Sequence, residues 1–381
     1  ESSTAPVGIA SSVASEKSRW TPEAAKLHAL NGSRANAALP RVLSTLGDSA
    51  RRRAGSTGVR RIAGTVGNGA QEAVVRVAVY GGGRNLALAW DEDTRFRRHD
   101  AGRGTLIAVA ECLRALACRG ASALVTGAEI TFPNPCRCDD LRAVDETLKA
   151  VASARAFFSL PSTMAVASAG ATRGGKDHPP RSVVWAIGGS DADRPATGLR
   201  VRGVGERLIF LGEAPMELGG SQYLRAVHGL TAGDVPALDL SAEKKLQSVL
   251  LTLIRAGIVS AAASVAAGGV MAAVCEMLFA DGRTFGAKLD LTPLGGARAD
   301  ALLFGESQGR VIIAVAPERV GTVLSEAHMR GVSAALIGEV TAEPTLGLKT
   351  RSLETQWAVA ELRKCRDEAV ADTPANSTPG A

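Results

Sequence analysis

The chain has 381 residues, of which 46% are hydrophobic and 22% charged, a composition typical of a folded globular protein that excludes wholesale disorder. At about 150 residues per domain, this length predicts two or three domains. Six cysteines are too few for a small disulfide-stapled fold. An aromatic content of 4% argues against a protein that stacks single-stranded bases.

The net charge of +6 permits a polyanionic neighbour without requiring one. A solvated loop explains the arginine-rich stretch at residues 51–61, and contact with nucleic acid, acidic lipid or an acidic protein is the alternative. The Ser-, Ala- and Thr-rich residues 1–19, with no initiator Met, predict a processed organellar protein, mitochondrial matrix rather than plastid. A truncated cytoplasmic protein would begin in the same way.

Strands and helices alternate in the first half of the chain. Helices are predicted over residues 21–55, 104–119 and 140–155, and strands over 73–79, 85–90, 124–132, 164–169 and 182–187. Residues 191–204 lack periodicity and contain Gly and Pro, which predicts a linker.

The second half resumes the alternation. Strands are predicted over 207–211, 310–315 and 334–337, and helices over 241–256, 320–330 and 353–369, with Ser241 as a helix cap. Residues 256–275 carry no charge and are long enough to span a bilayer. Their Ala, Gly and Ser content favours two buried helices joined at Gly268-Gly269. We therefore expect no membrane span.

Three stretches of the second half are distinctive. They read Leu211-Gly-Glu-Ala-Pro-Met-Glu-Leu-Gly-Gly-Ser-Gln-Tyr-Leu224, Leu240-Ser-Ala-Glu-Lys-Lys-Leu-Gln-Ser-Val-Leu250 and Leu303-Phe-Gly-Glu-Ser-Gln-Gly-Arg-Val-Ile-Ile313. In this order and spacing they resemble formylglycinamidine ribonucleotide synthase, an ATP-dependent amidating enzyme of purine synthesis in the aminoimidazole ribonucleotide synthetase superfamily. That enzyme has two tandem units, and residues 39–340 look like the second.

The resemblance implies an α/β (α+β) fold with a mixed-sheet N-domain and an α/β C-domain. The expected organisation is an N-terminal extension (1–38), the N-domain (39–190), the linker (191–204), the C-domain (205–345) and a C-terminal helix and tail (346–381). Family N-domain sheets pair with one another, so we expect a homodimer or heterodimer of this unit.

The family's ligand motifs are altered in this sequence. The C-domain motif Ala-His-Asp-Val-Ser-acidic-Gly-Gly-Leu aligns with residues 262–270, and an N-domain motif with residues 128–135. Family His, Asp, Ser, acidic, Asp and Asn positions are occupied by Ala263, Ser264, Ala266, Ala267, Ala128 and Thr131. Methyl groups neither coordinate magnesium nor donate or accept protons in catalysis. The resemblance therefore implies lost catalysis, with no metal and no cofactor expected.

Some backbone features of a nucleotide site persist. Remnant contacts to ATP or ADP are assigned to Gly219, Gly220, Gly268, Gly269 and Asn134. These positions leave residual nucleotide binding open.

Three functions fit this pattern. The leading hypothesis is a pseudoenzyme that serves as a structural subunit of a larger, organellar assembly, with partner proteins bound through the N-domain sheet and the terminal extensions. The alternatives are the second-unit chain of a split synthase and a nucleotide sensor without turnover.

Overall fold

The computed structural model describes residues 37–44, 71–77, 84–92, 95–133, 138–169, 180–191, 197–215, 217–279, 284–295 and 298–371. Two mixed β-sheets, each with helices packed on it, form the described part of the chain. Most of the N-terminal extension, the arginine-rich stretch, Asn134 and the last ten residues lie outside these ranges. The α/β (α+β) class expected from the sequence is confirmed.

The N-domain sheet has five strands in the order β1-β2-β5-β3-β4. They are β1 (Gln71–Val77), β2 (Arg84–Asp91), β3 (Ser122–Pro133), β4 (Ser162–Ala169) and β5 (Arg181–Asp191). The β3/β4 pair is parallel, and the other neighbours are antiparallel. Preceded by α1 (residues 37–44), the N-domain helices are α2 (Arg95–His99), α3 (Ala101–Cys118) and α4 (Cys138–Phe158).

Helix α3 is the central element of the molecule. Asp100 caps its first turn by accepting a hydrogen bond from the amide of Arg103, and nearly all its residues are buried. One side packs on the N-domain sheet, where Leu113 and Leu116 meet Val184. Its small Ala and Cys residues leave room for the C-domain on the other side, where it contacts a helix and a strand. The helix is buried on all sides because it is shared by both domains.

No described helix covers the opposite face of the N-domain sheet, which carries apolar side chains of β2 and β5 beside the exposed Glu129 of β3. Leu88, Trp185 and Ile187 lie on this face and are exposed or half-buried. The indole of Trp185 lies over Gly127, where a Cβ would come within 2.4 Å of the ring. Strand β4 lies at an edge of this sheet, and Met164 on its other face is 41% exposed.

The C-domain sheet has seven strands in the order β12-β11-β8-β10-β6-β9-β7. They are β6 (Arg207–Leu211), β7 (Val259–Ser264), β8 (Gly286–Asp290), β9 (Val311–Val315), β10 (Ala334–Thr341), β11 (Thr345–Lys349) and β12 (Glu354–Ala358). The helices are α5 (Gln222–His228), α6 (Leu240–Arg255), α7 (Gly269–Leu278), α8 (Ala299–Phe304), α9 (Val320–Met329) and α10 (Val359–Ala371). Helices α6 and α9 pack on one face, and α7 and α8 on the other.

The uncharged stretch over residues 256–275 differs from its prediction as two helices. Its first half is strand β7, which pairs with β9 from Val259 to Ser264, and its second half begins α7. Periodicity does not distinguish a short, wholly apolar strand from a buried helix. No helix among the described residues is long and apolar enough to cross a membrane.

Several boundaries also differ from the predicted ones. Leu199 and Val201, within the predicted linker, are buried in the C-domain core. The C-domain sheet continues to Ala358, beyond the predicted boundary at residue 345, because β11 and β12 pair with each other. The cap of α6 is Asp239 rather than Ser241, since its carboxylate accepts from the amides of the first turn.

Candidate functional site

The turn between β7 and α7 is set by two glycines. Gly268 and Gly269 have left-handed φ angles of 79° and 69°. A Cβ on Gly269 would lie 2.6 Å from the carbonyl oxygen of Leu303. The glycines therefore serve the turn and its close contact with α8, whether or not a ligand is bound.

The side chains around this turn are methyl groups buried in the protein. Ala263, Ala266 and Ala267 are 2%, 0% and 4% exposed. The hydroxyl of Ser264 accepts a hydrogen bond from Nη1 of Arg114 at 3.2 Å. The positions aligned with the family's ligands thus offer three buried methyls and one engaged hydroxyl.

The second glycine turn precedes α5. A Cβ on Gly219 would lie 1.9 Å from the carbonyl oxygen of Asp234, and one on Gly220 would meet the ring of Phe96 at 3.1 Å. Ser221 caps α5 through a hydrogen bond from the amide of Leu224. Close packing with a loop and with α2 accounts for both glycines.

A single carboxylate joins the two glycine turns. Oε1 of Glu306 accepts from the amides of Gln222 at 2.6 Å and Gly268 at 2.9 Å. Its Oε2 accepts from Nη1 of Arg95 at 2.8 Å, and the side chain is 1% exposed. Amides at helix starts favour negative charge. Here these donors are already bound to a carboxylate of the chain itself.

A second buried network lies between the domains. Arg114 of α3 makes two hydrogen bonds of 2.9 Å to the carboxylate of Glu243 on α6, and both side chains are fully buried. Arg114 also donates to Oε1 of Gln308, whose Nε2 donates to Glu111 at 3.1 Å. The network therefore connects α3 of the N-domain with three segments of the C-domain.

The charged groups in and near this network shift one another's pKa values. Burial disfavours the charged form of Arg114, and the Glu243 carboxylate outweighs that effect, so the pKa of Arg114 is raised. Burial, reinforced by the positive charge of Arg114, lowers the pKa of Arg310 to about 10. Arg310 donates to the carbonyl oxygens of Ser307 and Gly305 at 2.8 and 2.7 Å. These two hydrogen bonds from a buried side chain fix the backbone of the loop after α8.

Of the N-domain positions, Ala128 lies in a core cluster that contains no residue of either glycine turn. Ala128 is 2% exposed and belongs to the N-domain core with Val184 and Cys112. Thr131 is half-buried near the end of β3, and Asn134 lies outside the described residues. The structure brings together Gly220 and Gly268 through Glu306 and its partner Arg95, and it places Ala128 in a different core.

Sequence reasoning assigned no role to Arg95, Arg114, Glu243 or Glu306. One signal was present, because Arg114 lies four residues after Ala110 on an apolar helix face. A charge within an apolar stripe indicates a buried partner. The partner Glu243 lies far along the chain, so its identity was not visible from local spacing.

The residues around the two glycine turns were compared with what a magnesium–nucleotide complex requires. Among the described residues, no group of three or more His, Cys, Asp or Glu could hold a metal ion. The amides of Gln222 and Gly268, one at each glycine turn, are bound to Glu306.

Known proteins are similar to this chain in sequence and in fold. The family model for the C-terminal domain of AIR synthase related proteins matches residues 203–351. The phosphoribosylformylglycinamidine synthase subunit PurL of Moorella thermoacetica is 37% identical over 273 residues, covering 71% of this chain and 36% of the relative. The chain thus spans little more than a third of that relative's length.

Two solved structures show the same fold. T. maritima PurL complexed with ATP superimposes with a TM-score of 0.62 at 20% identity, covering 81% of this chain and 48% of that one. E. coli HypE, a hydrogenase maturation protein, gives a TM-score of 0.52 at 20% identity, covering 72% of this chain and 86% of that one. With its two sheets and its motifs in order, the chain belongs to the AIR synthase superfamily and is a PurL-like protein.

Proposed function

We propose that this PurL-like chain is a catalytically degenerate unit that works as a structural subunit of a larger assembly. The observation that carries the proposal is the turn between β7 and α7. Its family ligand positions are the buried methyls of Ala263, Ala266 and Ala267. Ser264 is hydrogen-bonded to Arg114. A phosphoryl-transfer site requires carboxylates that hold a charge-neutralising metal, and the aligned positions of this turn supply no carboxylate.

Nucleotide binding tests the proposal directly. Thermal unfolding and calorimetric titration of the full chain with Mg-ATP and Mg-ADP should show no saturable binding. A ligand present at a hundredfold excess over its Kd would stabilise the fold by about 2.7 kcal/mol, which unfolding would detect. Saturable binding without turnover would instead establish the nucleotide sensor.

A split synthase is the second candidate. It is favoured by the sequence similarity to a synthase subunit, since the chain is 37% identical over 273 residues to the M. thermoacetica subunit. A partner chain would then supply the first unit, and ammonia-dependent amidation would appear only when both are mixed.

The native complex separates the two candidates. The particle containing this chain should be isolated gently, its mass measured and its subunits and compartment identified. A large organellar complex without purine-synthesis enzymes supports the structural subunit. A stoichiometric complex with a first-unit synthase chain and a glutaminase would refute it.

We propose that the partner binds the open face of the N-domain sheet. Leu88, Trp185 and Ile187 present apolar surface there. Uncovered apolar sheet faces and open edges are characteristic of interaction sites.

A charge on this face should prevent association. Leu88 is 37% exposed, so Leu88→Asp should leave the fold intact and dissociate the complex. Light scattering should report the lower mass, and the circular dichroism spectrum should be unchanged. Leu230, 42% exposed on the C-domain, provides the matched control Leu230→Asp. Equal association of the two variants would show that the partner binds elsewhere.

A further inference from the structure

The solvent face of helix α6 carries positive charge that no carboxylate of the described residues neutralises. Lys244, Lys245 and Arg255 are exposed, and none of them forms an ion pair with a described residue. The only acidic residue of this helix, Glu243, is turned inward and fully buried against Arg114. The exposed side of α6 therefore offers cations and no anion.

In other helices, cations pair with a carboxylate four residues away, the spacing at which opposite charges meet. These pairs are Arg142–Glu146 and Lys149–Asp145 on α4, Arg330–Glu326 on α9 and Arg363–Asp367 on α10. On α6, Lys244 and Arg255 donate instead to neutral acceptors, the carbonyl oxygen of Phe157 and the hydroxyl of Ser122. Their charges therefore remain uncompensated.

These contacts bound a surface that we call the α4–α6 seam. At one end, Nζ of Lys244 lies 5.5 Å from the ring centroid of Phe157, near the end of α4. At the other end, Arg255 meets Ser122 at the start of β3. Lys244 and Arg255 are about 16 Å apart along the helix axis. Arg155, exposed in the last turn of α4 and without an ion pair among the described residues, adds a further cation.

The seam also exposes apolar side chains. Leu124 of β3 is 45% exposed, and Phe157 is 36% exposed. The amide of Thr126 donates to the carbonyl oxygen of Pro161 at 3.1 Å, which holds β3 beside the segment after α4. Exposed apolar groups therefore lie beside the cations, at positions set by backbone hydrogen bonding.

Charge and composition indicate what binds here. The uncompensated cations match carboxylates or phosphates, and Leu124 matches an apolar side chain. A single-stranded nucleic acid would need a free aromatic face for its bases. The ring of Phe157 is already approached by Lys244 and packs edge to face with Phe158 at 5.2 Å. An acidic polypeptide with an apolar side chain matches both parts of the surface.

We infer that the α4–α6 seam binds an acidic segment of a partner protein that carries a leucine or phenylalanine among its carboxylates. An extended segment of about five residues spans the distance from Lys244 to Arg255. Because α6 belongs to the C-domain and Leu124 to the N-domain, the segment contacts both domains. This inference depends neither on lost catalysis nor on the open face of the N-domain sheet.

A synthetic peptide tests the inference on the full chain. The probe is a fluorescein-labelled peptide of about eight residues, in which glutamates flank one central leucine. Its fluorescence anisotropy should show one saturable site. Binding should weaken as salt rises from about 0.1 M to about 1 M, where the Debye length falls from about 10 Å to about 3 Å. Equal binding of the same peptide with lysines for glutamates, or tighter binding of a duplex RNA of equal charge, overturns the inference.

Matched variants locate the site. Lys244→Glu should weaken probe binding at least tenfold, by about 1.4 kcal/mol. Arg351 is exposed beyond β11, towards the other edge of the C-domain sheet, so Arg351→Glu should bind as the wild type does. Leu124→Ser should weaken binding, and Leu336→Ser, at a residue 41% exposed elsewhere, should not. Equal binding by the two charge-reversal variants overturns the inference.

Cross-linking tests the same surface in the native complex. A carbodiimide joins a lysine directly to a carboxylate that it contacts, so Lys244 or Lys245 should be joined to an Asp or Glu of a partner protein. Lys288, exposed on β8, is the control and should carry no partner link. Partner links at Lys288 and none at Lys244 or Lys245 would overturn the inference.

Discussion

Arg114 shows how one side chain can fix the arrangement of two domains. Its guanidinium is fully buried and pairs with Glu243 across the domain boundary. Such a pair adds little net stability compared with apolar side chains of the same volume, because both charges lose their hydration. Its effect is asymmetric, since removal of one partner leaves the other charge buried and unpaired. We therefore regard the pair as a determinant of domain geometry.

Removal of the guanidinium should be costly. Arg114→Met should lower the free energy of unfolding by about 3–5 kcal/mol in urea titrations, because Glu243 would be left uncompensated. The control is Arg142→Ala, whose pairing with Glu146 is on the surface, where the side chains are 75% and 37% exposed. That change should cost less than about 1 kcal/mol.

The double variant distinguishes charge from packing. Arg114→Met with Glu243→Met should recover most of the loss, since neither charge of the pair would remain buried without its partner. If the double variant is as unstable as the single variant, the loss of stability comes from packing at residue 114 and not from the unpaired charge.

At the scale of elements, prediction succeeded where the apolar pattern was periodic. The helix predicted over residues 104–119 is α3 (Ala101–Cys118), and the strand over 207–211 is β6. It failed at β7, where no residue is charged and four of the six are buried, so the sequence shows no clear strand period. The helix predicted over 353–369 begins as strand β12, because Trp357 packs in the C-domain core as part of the sheet.

The docking of α10 should depend on pH. Burial raises the pKa of Glu276 on α7, and the Arg366 guanidinium on α10 partly opposes this shift. The folded protein therefore holds this proton more tightly than the unfolded chain does. The resulting stability is complete below the ordinary carboxyl range, near pH 4.3, and is lost as pH rises through the folded-state pKa.

Two variants measure this dependence. Between pH 4 and 7, the free energy of unfolding of the wild type relative to Glu276→Gln should fall by up to about 1.4 kcal/mol per pH unit. Arg366→Met removes the opposing cation and should extend the decline to higher pH. Parallel profiles for the wild type and Glu276→Gln would show that Glu276 does not titrate differently on folding.

At the scale of the whole molecule, the two sheets should unfold together. Arg119 donates from α3 to the carbonyl oxygens of Thr197 and Ala262, and Arg95 reaches Glu306. Because these bonds are buried and cross the domain boundary, neither domain can open without breaking them. Scanning calorimetry should show a single transition with equal calorimetric and van't Hoff enthalpies. Two separated transitions would show that the domains are independent.

The sequence predicted two α/β domains and the family, but not how the domains meet. The interface draws Arg95, Arg114, Glu243 and Glu306 from four separate segments. Arg114 and Glu306 stand in apolar or glycine-containing stretches, whereas Arg95 and Glu243 stand among other charged residues. Local patterns determine which element forms, whereas the pairing of distant charges depends on the final packing. Deducing such pairs requires the tertiary structure.

The buried methyls of the turn between β7 and α7 also bear on descent. Ala266 has no exposed surface, and Ala263 has almost none. An ancestor with polar groups here could lose them one at a time, because a buried methyl needs no hydrogen-bond partner. The reverse route is blocked, since a lone imidazole or carboxylate restored to this core would be unsatisfied and would cost stability before it regained any chemistry. Selection acting one substitution at a time would therefore favour retention of the methyl groups once a lineage had acquired them.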